Sequence, residues 1–125
     1  EPLVWRDSDE NLQQFQHALT DAGLTLLKGG RFYHVLGQVN KASAINWLLK
    51  VYASKNPYVK WNTLSAGDSP NDLAMLSETD IAICIRDAKG KHLELTSPNL
   101  QINPLSQGST GWFEGVSQAI NIILS

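Results

Sequence analysis

The chain has 125 residues, 42% of them hydrophobic and 18% charged, and a formal net charge of −2. These values suit one globular domain or parts of two, and they exclude a disordered or fibrous chain. The scattered lysines and arginines argue against a nucleic-acid partner, and no apolar stretch in the sequence is long enough to cross a membrane.

Residues 1–36 have the pattern of a β-α-β-β unit. Apolar residues recur at helical spacing, and two strand-like runs flank the pair Gly29-Gly30, which should form a tight turn. We therefore predict a short strand, a helix and a two-stranded hairpin. Their predicted bounds are a strand at Leu3 to Trp5, a helix capped by Asp7 or Ser8 and ended by Gly23, and strands at Leu24 to Leu27 and Arg31 to Leu36.

After a predicted linker at Gly37 to Asn40, helices alternate with strands. This alternation predicts a layered sheet with helices on both faces. The predicted elements are a helix opened by Lys41 with an apolar face of Ile45, Leu48, Leu49 and Tyr52, a strand at Trp61 to Ala66, a helix through Leu73, Met75 and Leu76, a strand at Ile81 to Ile85, an edge strand at Leu93 to Leu95, a loop at Pro98 to Thr110, and a final helix with Trp112, Val116, Ala119, Ile120 and Ile123.

The only cysteine, Cys84, lies inside the apolar run Ile81 to Ile85. Such a run is typical of a strand that is covered on both faces, so we expect a buried, structural thiol. One cysteine cannot form an internal disulfide, and the first residues lack the pattern of a secretory leader. We therefore expect a reducing, cytoplasmic environment.

The segment Gly67 to Asp72, Gly-Asp-Ser-Pro-Asn-Asp, places two carboxylates at the end of a predicted strand. Asp68 should lie at the carboxyl end of that strand, where ligands bind in open α/β sheets, and Asp72 in the first turn of the next helix. Mg²⁺ takes one or two carboxylates and completes its shell with water and phosphate. The same residue types are typical of turns and helix caps, so a purely structural role is the alternative.

Lys41 is predicted to open a helix, where a cation opposes the helix dipole at a cost of about 0.3–1 kcal/mol. A phosphate or carboxylate near Lys41 would reverse the sign of that contribution. The alternative is a solvated surface lysine.

Together these residues resemble the C-terminal part of the haloacid dehalogenase superfamily. The segment Gly67 to Asp72 matches the acidic motif Gly-Asp-Ser-x-Asn-Asp of that superfamily, and Lys41 falls where its motif lysine falls. Within the superfamily, the chain most resembles the mannosyl-3-phosphoglycerate phosphatases. The segments that carry this second resemblance are Trp5 to Glu10, Gly30 to Val35 and Gly111 to Gly115.

The resemblance implies an α/β fold, made of a partial Rossmann-like haloacid-dehalogenase core and the last part of an α/β cap. Residues 1–36 would be the C-terminal part of the cap, and residues 37–125 the C-terminal part of the phosphatase core. It also implies Mg²⁺-dependent phosphomonoester hydrolysis, with mannosyl-3-phosphoglycerate as the expected substrate. The alternatives are another sugar-phosphate phosphatase of the superfamily, or a noncatalytic fragment that binds a phospho-ligand or dimerises.

The resemblance also assigns roles within the core. Asp68 would bind Mg²⁺ directly, and Asp72 would support the ion or its water shell. Lys41 would hold the phosphoryl group and the nucleophilic carboxylate. Ser69 and Asn71 would orient Asp68 or contact the leaving group.

In the cap, Arg31 and His34 are candidates for binding the anionic glycerate end of the substrate. Alternatively, His34 faces solvent and Arg31 pairs with an acid. The turn at Gly111-Trp112 is a candidate border of the substrate pocket, although a helix start with core aromatics is the simpler interpretation.

The nucleophile of this superfamily lies in an Asp-x-Asp-Gly-Thr motif, which the 125-residue sequence does not contain. Asp7-Ser8-Asp9 follows an apolar run but continues with Glu10-Asn11, and helix capping explains it. We therefore expect the parent protein to be the enzyme and this chain alone to be inactive. Strands missing from the core would leave a sheet edge uncovered, so we expect that the chain either self-associates or has lost an N-terminal part.

Overall fold

The computed structural model describes residues 2–37 and 40–125, so part of the predicted linker, Gln38 and Val39, lies outside the described residues. The chain forms two compact units, Glu1–Asn40 and Lys41–Ser125. The strands are β1 (Pro2–Leu3), β2 (Thr25–Gly29), β3 (Phe32–Leu36), β4 (Leu64–Gly67), β5 (Ile81–Cys84) and β6 (Leu100–Ile102), and the helices are α1 (Asp9–Asp21), α2 (Lys41–Lys55), α3 (Leu73–Ser77) and α4 (Gly108–Leu124). Within the described ranges, no helix is long and apolar enough to cross a membrane.

The first unit consists of α1 and an antiparallel sheet with the strand order β1-β3-β2. Ser8 is the N-cap of α1, because its Oγ accepts a hydrogen bond from the backbone N–H of Asn11 at 3.2 Å. After the helix, Gly23 has a φ of +74°, a conformation that favours glycine. The predicted order of elements, β-α-β-β, is confirmed for this unit.

The second unit contains a parallel sheet with the strand order β4-β5-β6. In β4 and β5, Leu64 lies opposite Ile81 and Gly67 lies opposite Cys84. Because the strands are parallel, their carboxyl ends meet at one edge of the sheet, where the loop after β4 begins. The prediction of an α/β fold with a parallel sheet and helices is confirmed.

The central strand β5 is buried on both faces, as its continuous apolar sequence predicts. Ile81, Ile83 and Ile85 pack on one face with Ile102 and Ala119. Ala82 and Cys84 pack on the other face with Leu76. The thiol of Cys84 is therefore buried, as predicted, and burial raises its pKa to about 11.

Several predicted strand boundaries are wrong. Leu93 to Leu95 does not form a strand; instead, Leu93 and Leu95 pack against the cluster around Leu76. The third strand of the sheet is β6, which lies inside the predicted loop Pro98 to Thr110. The first strand ends at Leu3, and the Trp5 ring stacks on Phe15 with ring centroids 5.5 Å apart.

The buried faces of two helices also differ from the predicted ones. On α2, Leu48 and Tyr52 are exposed, and Ala42 is the buried residue. On α4, the buried positions are Gly111, Gly115 and Ala119, whereas the predicted core residues Ile120 and Ile123 are exposed. The reason on α4 is close packing: a Cβ on Gly115 would lie 2.2 Å from Cγ2 of Ile83. This distance leaves no room for a side chain at position 115, so the backbone of α4 itself lies against β5.

Candidate active site

The candidate site lies at the carboxyl end of β4, in the second unit. The strand ends at Gly67, and the chain then turns through Asp68 and Ser69 into a 3₁₀ turn, Pro70–Asp72, that leads into α3. Pro70 occupies the first position of this turn, where its missing N–H leaves no hydrogen bond unmade. The short loop therefore brings both acidic residues of the motif to the carboxyl edge of the sheet.

Asp72 is buried and holds the loop together. Its Oδ2 accepts hydrogen bonds from the backbone N–H groups of Asp68, at 3.3 Å, and Ser69, at 3.4 Å. Its Oδ1 forms an ion pair with Nζ of Lys41. A Cβ on Gly67 would lie 2.5 Å from Cβ of Asp72, so only glycine allows this approach. Asp72 thus joins the start of α2 to the end of β4.

The ion pair explains why a lysine can open α2. A cation at the first position of a helix opposes the dipole, and the carboxylate of Asp72 supplies the compensating negative charge. The side chain of Lys41 remains 53% exposed, so its ammonium group is still accessible to a ligand. An ammonium group has three N–H donors, and Asp72 accepts from one of them.

Asp68 is exposed and only partly engaged by protein. Its Oδ1 accepts a hydrogen bond of 2.7 Å from the hydroxyl of Ser69. Within the described residues, its Oδ2 has no hydrogen-bond partner. The Ser69 hydroxyl therefore orients the carboxylate and leaves one oxygen open, which is the arrangement that a directly bound cation requires.

Asn71 has a buried side-chain oxygen, Oδ1, that lacks a hydrogen-bond partner among the described residues. Buried polar atoms normally have a partner, so this atom is a candidate for a contact with a ligand or water. No hydrogen bond joins Asn71 to Asp68 in the described part of the chain, and its orienting role stays a prediction.

An open cleft of about 420 Å³ brings most of these groups together. This volume is within the range of about 300–1,000 Å³ that is typical of ligand sites. We call it the carboxyl-end cleft. The residues that line it are Lys41, Ala66, Gly67, Asp68, Asp72, Ile85, Gly108, Ser109 and Trp112.

Three residues of α4 line the carboxyl-end cleft, and the sequence pointed to only one of them. Gly108 and Ser109 fall in a segment predicted to be loop. Trp112 was a candidate border of the substrate pocket, with a core aromatic as the simpler interpretation. Trp112 is instead 52% exposed. The family resemblance of the segment Gly111 to Gly115 was the only feature of the sequence that indicated that the start of α4 lines the cleft.

The donor set of the cleft suits a hard divalent cation. Asp68 has an open carboxylate oxygen, and Mg²⁺ needs only one or two carboxylates, with water and phosphate as further ligands. Both oxygens of Asp72 are already engaged by Lys41 and by the loop, and its role in supporting the ion stays a prediction. No group of three or more histidine, cysteine or acidic side chains in the described residues could hold a metal ion. The residues therefore fit Mg²⁺ better than Zn²⁺, which prefers three or four nitrogen and sulfur ligands.

Arg31 and His34 belong to the first unit. Arg31 precedes β3, and its guanidinium lies 5.5 Å from the ring centroid of Phe32. No ion pair with an acid forms at Arg31 in the described ranges. His34 is half-buried on β3, opposite Leu27 of β2. Their roles in substrate binding stay predictions.

Asp7 has the structural role that its sequence context predicts. Its Oδ1 accepts from the backbone N–H of Ser8 at 2.7 Å, and its Oδ2 accepts from the amide of Asn11 at 2.9 Å. These hydrogen bonds hold the pKa of Asp7 below its ordinary value. The carboxylate is thus part of the N-terminal cap of α1.

Comparison with protein families gives an independent assignment. The family model described as sucrose-6F-phosphate phosphohydrolase matches residues 4–122. The match includes β4, the acidic loop, Lys41 and α4 up to Ile122. It agrees with the predicted superfamily, while the narrower resemblance to mannosyl-3-phosphoglycerate phosphatases stays a prediction. The chain belongs to the sucrose-6F-phosphate phosphohydrolase family of haloacid-dehalogenase phosphatases.

Proposed function

We propose that this chain supplies the metal-binding and phosphate-binding part of a Mg²⁺-dependent sugar-phosphate phosphatase. The observation that carries the proposal is the position of Lys41, Asp68 and Asp72 in one cleft at the carboxyl end of a parallel sheet. A cation and two carboxylates at this place offer what a phosphomonoester needs, a positive group for its oxygens and ligands for a divalent ion.

Each residue of the cleft has a distinct task in this proposal. The open carboxylate oxygen of Asp68 binds Mg²⁺, and the Ser69 hydroxyl fixes its orientation. Asp72 holds Lys41 in place through the ion pair, so that the remaining N–H donors of the ammonium group meet the phosphoryl oxygens. When bound, Mg²⁺ would neutralise charge on the phosphoryl group and favour attack on phosphorus.

The nucleophile of the proposed reaction is a carboxylate that lies outside this chain. It attacks phosphorus, the bond from phosphorus to the sugar oxygen breaks, and a general acid protonates the leaving alkoxide. Water then cleaves the aspartyl phosphate, which releases inorganic phosphate and regenerates the carboxylate. Lys41 lowers the barrier of both steps because its charge opposes the negative charge of the transferred group.

The substrate in this proposal is a phosphorylated sugar. Sucrose-6F-phosphate is the first candidate because the chain belongs to the family described by that substrate. Mannosyl-3-phosphoglycerate is the second candidate, and it would require a cation for its glycerate carboxylate. Arg31 is the candidate for that role, since its guanidinium is exposed and free of acidic partners in the described residues.

Phosphate binding by the chain tests the proposal. Calorimetric titration with inorganic phosphate in the presence of Mg²⁺ should give binding that falls by about tenfold or more in Lys41→Met, because a charge-assisted hydrogen bond contributes about 1.5–3 kcal/mol. The matched control is Lys50→Met, an exposed lysine on the same helix. Equal binding by Lys41→Met and the wild type would remove Lys41 from the phosphate site.

The nucleophile is tested by measuring phosphate release from both sugar phosphates. We expect no release by the 125-residue chain with Mg²⁺ present, even where it binds the substrate. Turnover by the chain alone would overturn the placement of the nucleophile outside it, and Asp7→Asn would then be the first variant to assay.

A second candidate function is a module that binds a phospho-ligand without hydrolysing it. It is favoured for this chain, and not for a longer parent protein, by the lack of an Asp-x-Asp-Gly-Thr motif in the 125 residues. The two functions predict different results when a polypeptide that carries that motif and its strand is added to the chain and phosphate release is measured. Restored hydrolysis would support the phosphatase, and unchanged binding without hydrolysis would support the binding module.

A further inference from the structure

Trp112 is an exposed aromatic side chain on the wall of the carboxyl-end cleft. Its side chain is 52% exposed, and it lines the same cleft as Lys41, Asp68 and Asp72. Among the described residues, its indole N–H has no hydrogen-bond partner and its ring has no aromatic neighbour. An indole that packs in a core normally has such partners, so this one is available to a ligand.

The wall that carries Trp112 is held firmly against the sheet. A Cβ on Gly111 would lie 2.2 Å from the carbonyl oxygen of Ser106, and one on Gly115 would lie 2.2 Å from Cγ2 of Ile83. These two glycines flank Trp112 on α4. Because the helix backbone lies this close to its neighbours, the backbone that carries the indole is held beside the cleft.

Glu114 fixes the loop that leads into this helix. Its Oε2 accepts hydrogen bonds of 3.1 Å from the backbone N–H groups of Leu105 and Ser106, and its Oε1 accepts from the hydroxyl of Ser106. These bonds, that of the Ser106 hydroxyl first, lower the pKa of Glu114 below its ordinary value. The carboxylate is therefore charged at neutral pH and keeps the start of α4 in position.

Ser109 adds a polar group to the same wall. It lies three residues before Trp112 on α4, so the two side chains are on one face of the helix. A flat apolar surface beside a hydroxyl suits a sugar ring, whose C–H groups form an apolar face and whose hydroxyls lie around its edge. A phosphate alone would need neither group.

We propose that Trp112 is a specificity residue that stacks on a sugar ring of the phosphomonoester, with Ser109 contacting a ring hydroxyl. The inference rests on the proposed function, because it takes Lys41 and Asp68 as the site of the phosphoryl group. Trp112 lies outside the chemistry itself: it selects substrates that carry a ring next to the phosphorylated oxygen over small phosphomonoesters. Stacking of this kind contributes about threefold to tenfold in affinity.

The test is a titration of the ¹⁵N-labelled chain with Mg²⁺ and sucrose-6F-phosphate, followed by nuclear magnetic resonance. Trp112→Phe assigns the Trp112 indole signal and retains an aromatic ring. We expect the ligand to shift the Trp112 indole signal and the backbone signals of Gly67 and Asp68. Trp47, which is 66% exposed on α2 and outside the cleft, is the internal control and should not shift.

Two variants measure the contribution of the ring. Trp112→Ala should weaken sucrose-6F-phosphate binding by about threefold to tenfold and leave inorganic phosphate binding unchanged, whereas Trp112→Phe should restore most of the lost affinity. Trp47→Ala should change neither. Equal loss for both ligands in Trp112→Ala would overturn the stacking role.

The outcomes separate this inference from the proposed function. Shifts at Gly67 and Asp68 without a shift at the Trp112 indole would reject the role of Trp112 and leave the phosphate site intact. No shift at any of these signals, with either sucrose-6F-phosphate or inorganic phosphate, would reject the phosphate site and the stacking role together.

Discussion

At the residue scale, the site depends on the close packing of Asp72 against Gly67. Asp72 reaches the end of β4 only because Gly67 has no side chain. In return, the Asp72 carboxylate accepts two backbone hydrogen bonds from the loop and binds Lys41. The contacts show the structural role of the acidic motif, and this role does not exclude the proposed binding of Mg²⁺.

Gly67→Ala should show how tightly this pair is packed. The added Cβ would clash with Asp72, so we expect a loss of about 1–3 kcal/mol in the free energy of unfolding. Urea denaturation followed by circular dichroism measures this loss. The control is Gly37→Ala, where a Cβ would meet no atom within 4 Å. Equal stability of the two variants would show that the loop can move aside.

The motif residues could be predicted from the sequence, but their contacts could not. The order Gly-Asp-Ser-Pro-Asn-Asp indicates a turn with acidic residues after a strand. Nothing in the spacing shows that Lys41, 31 positions before Asp72, will pair with it. That contact arises because the start of α2 and the end of β4 lie side by side in the fold.

At the element scale, a reciprocal set of hydrogen bonds fixes the start of the two central strands. Oδ2 of Asp80 accepts from the backbone N–H of Thr63 at 2.8 Å and from its hydroxyl at 2.7 Å. The hydroxyl of Thr63 also accepts from the backbone N–H of Asp80. These residues precede β4 and β5 directly, so the bonds set the register of the two strands that carry the site.

The stability of this contact should depend on pH. The hydrogen bonds from Thr63, first from its hydroxyl and then from its backbone, lower the pKa of Asp80 below its ordinary value of 3.8. Because the pKa of Asp80 is lower in the folded state, its carboxylate stabilises the fold at pH values above the ordinary pKa. This contribution is lost as the pH falls through the lowered pKa. Asp80→Asn should therefore lower the free energy of unfolding by about 1 kcal/mol at pH 7, a value that allows for solvent screening of this exposed group. The loss should be smaller at acidic pH.

Urea denaturation of the wild type and Asp80→Asn at pH 7 and near pH 3 measures this dependence. The control is Glu94→Gln, an exposed acid in the same unit. A difference in stability between wild type and Asp80→Asn that grows as the pH falls would contradict the sign of the effect.

The elements that the sequence predicts well are those whose pattern is strong and local. The apolar run Ile81 to Ile85 predicts β5, and Ser8 predicts the start of α1. The strand β6 was missed because its three residues lie between Pro98-Asn99 and Asn103-Pro104, which are typical of loops. The start of α4 was missed because Gly108-Ser109-Thr110-Gly111 contains weak helix formers, and packing against the sheet overrides that weakness.

At the scale of the whole molecule, the second unit has exposed apolar side chains on and near an edge strand. β4 is at one edge of the parallel sheet. An edge strand offers unpaired backbone groups to another chain, and exposed apolar side chains nearby strengthen such contacts. The exposed apolar residues on and around α2 and β4 are Trp47, Leu48, Tyr52, Tyr58, Val59, Trp61 and Leu64.

We predict that the 125-residue chain self-associates through this surface. Sedimentation velocity across a wide concentration range should show a growing fraction of dimer or larger species. Leu64→Lys should reduce it, because a charge on an edge strand opposes pairing with another strand. The control is Leu105→Lys, since Leu105 is exposed but lies in the loop before α4. A monomer at every concentration would contradict the prediction.

We propose above all that the carboxyl-end cleft is a divalent metal site in which Asp68 is the direct ligand. The measurement that tests it most directly is a titration of the ¹⁵N-labelled chain with Mn²⁺, a paramagnetic substitute for Mg²⁺. We predict that the backbone signals of Gly67, Asp68 and Ser69 broaden first, that Mg²⁺ reverses the broadening, and that Asp68→Asn abolishes it while Glu94→Gln does not. Broadening in Asp68→Asn equal to that of the wild type, or broadening confined to other acidic residues, would contradict the account.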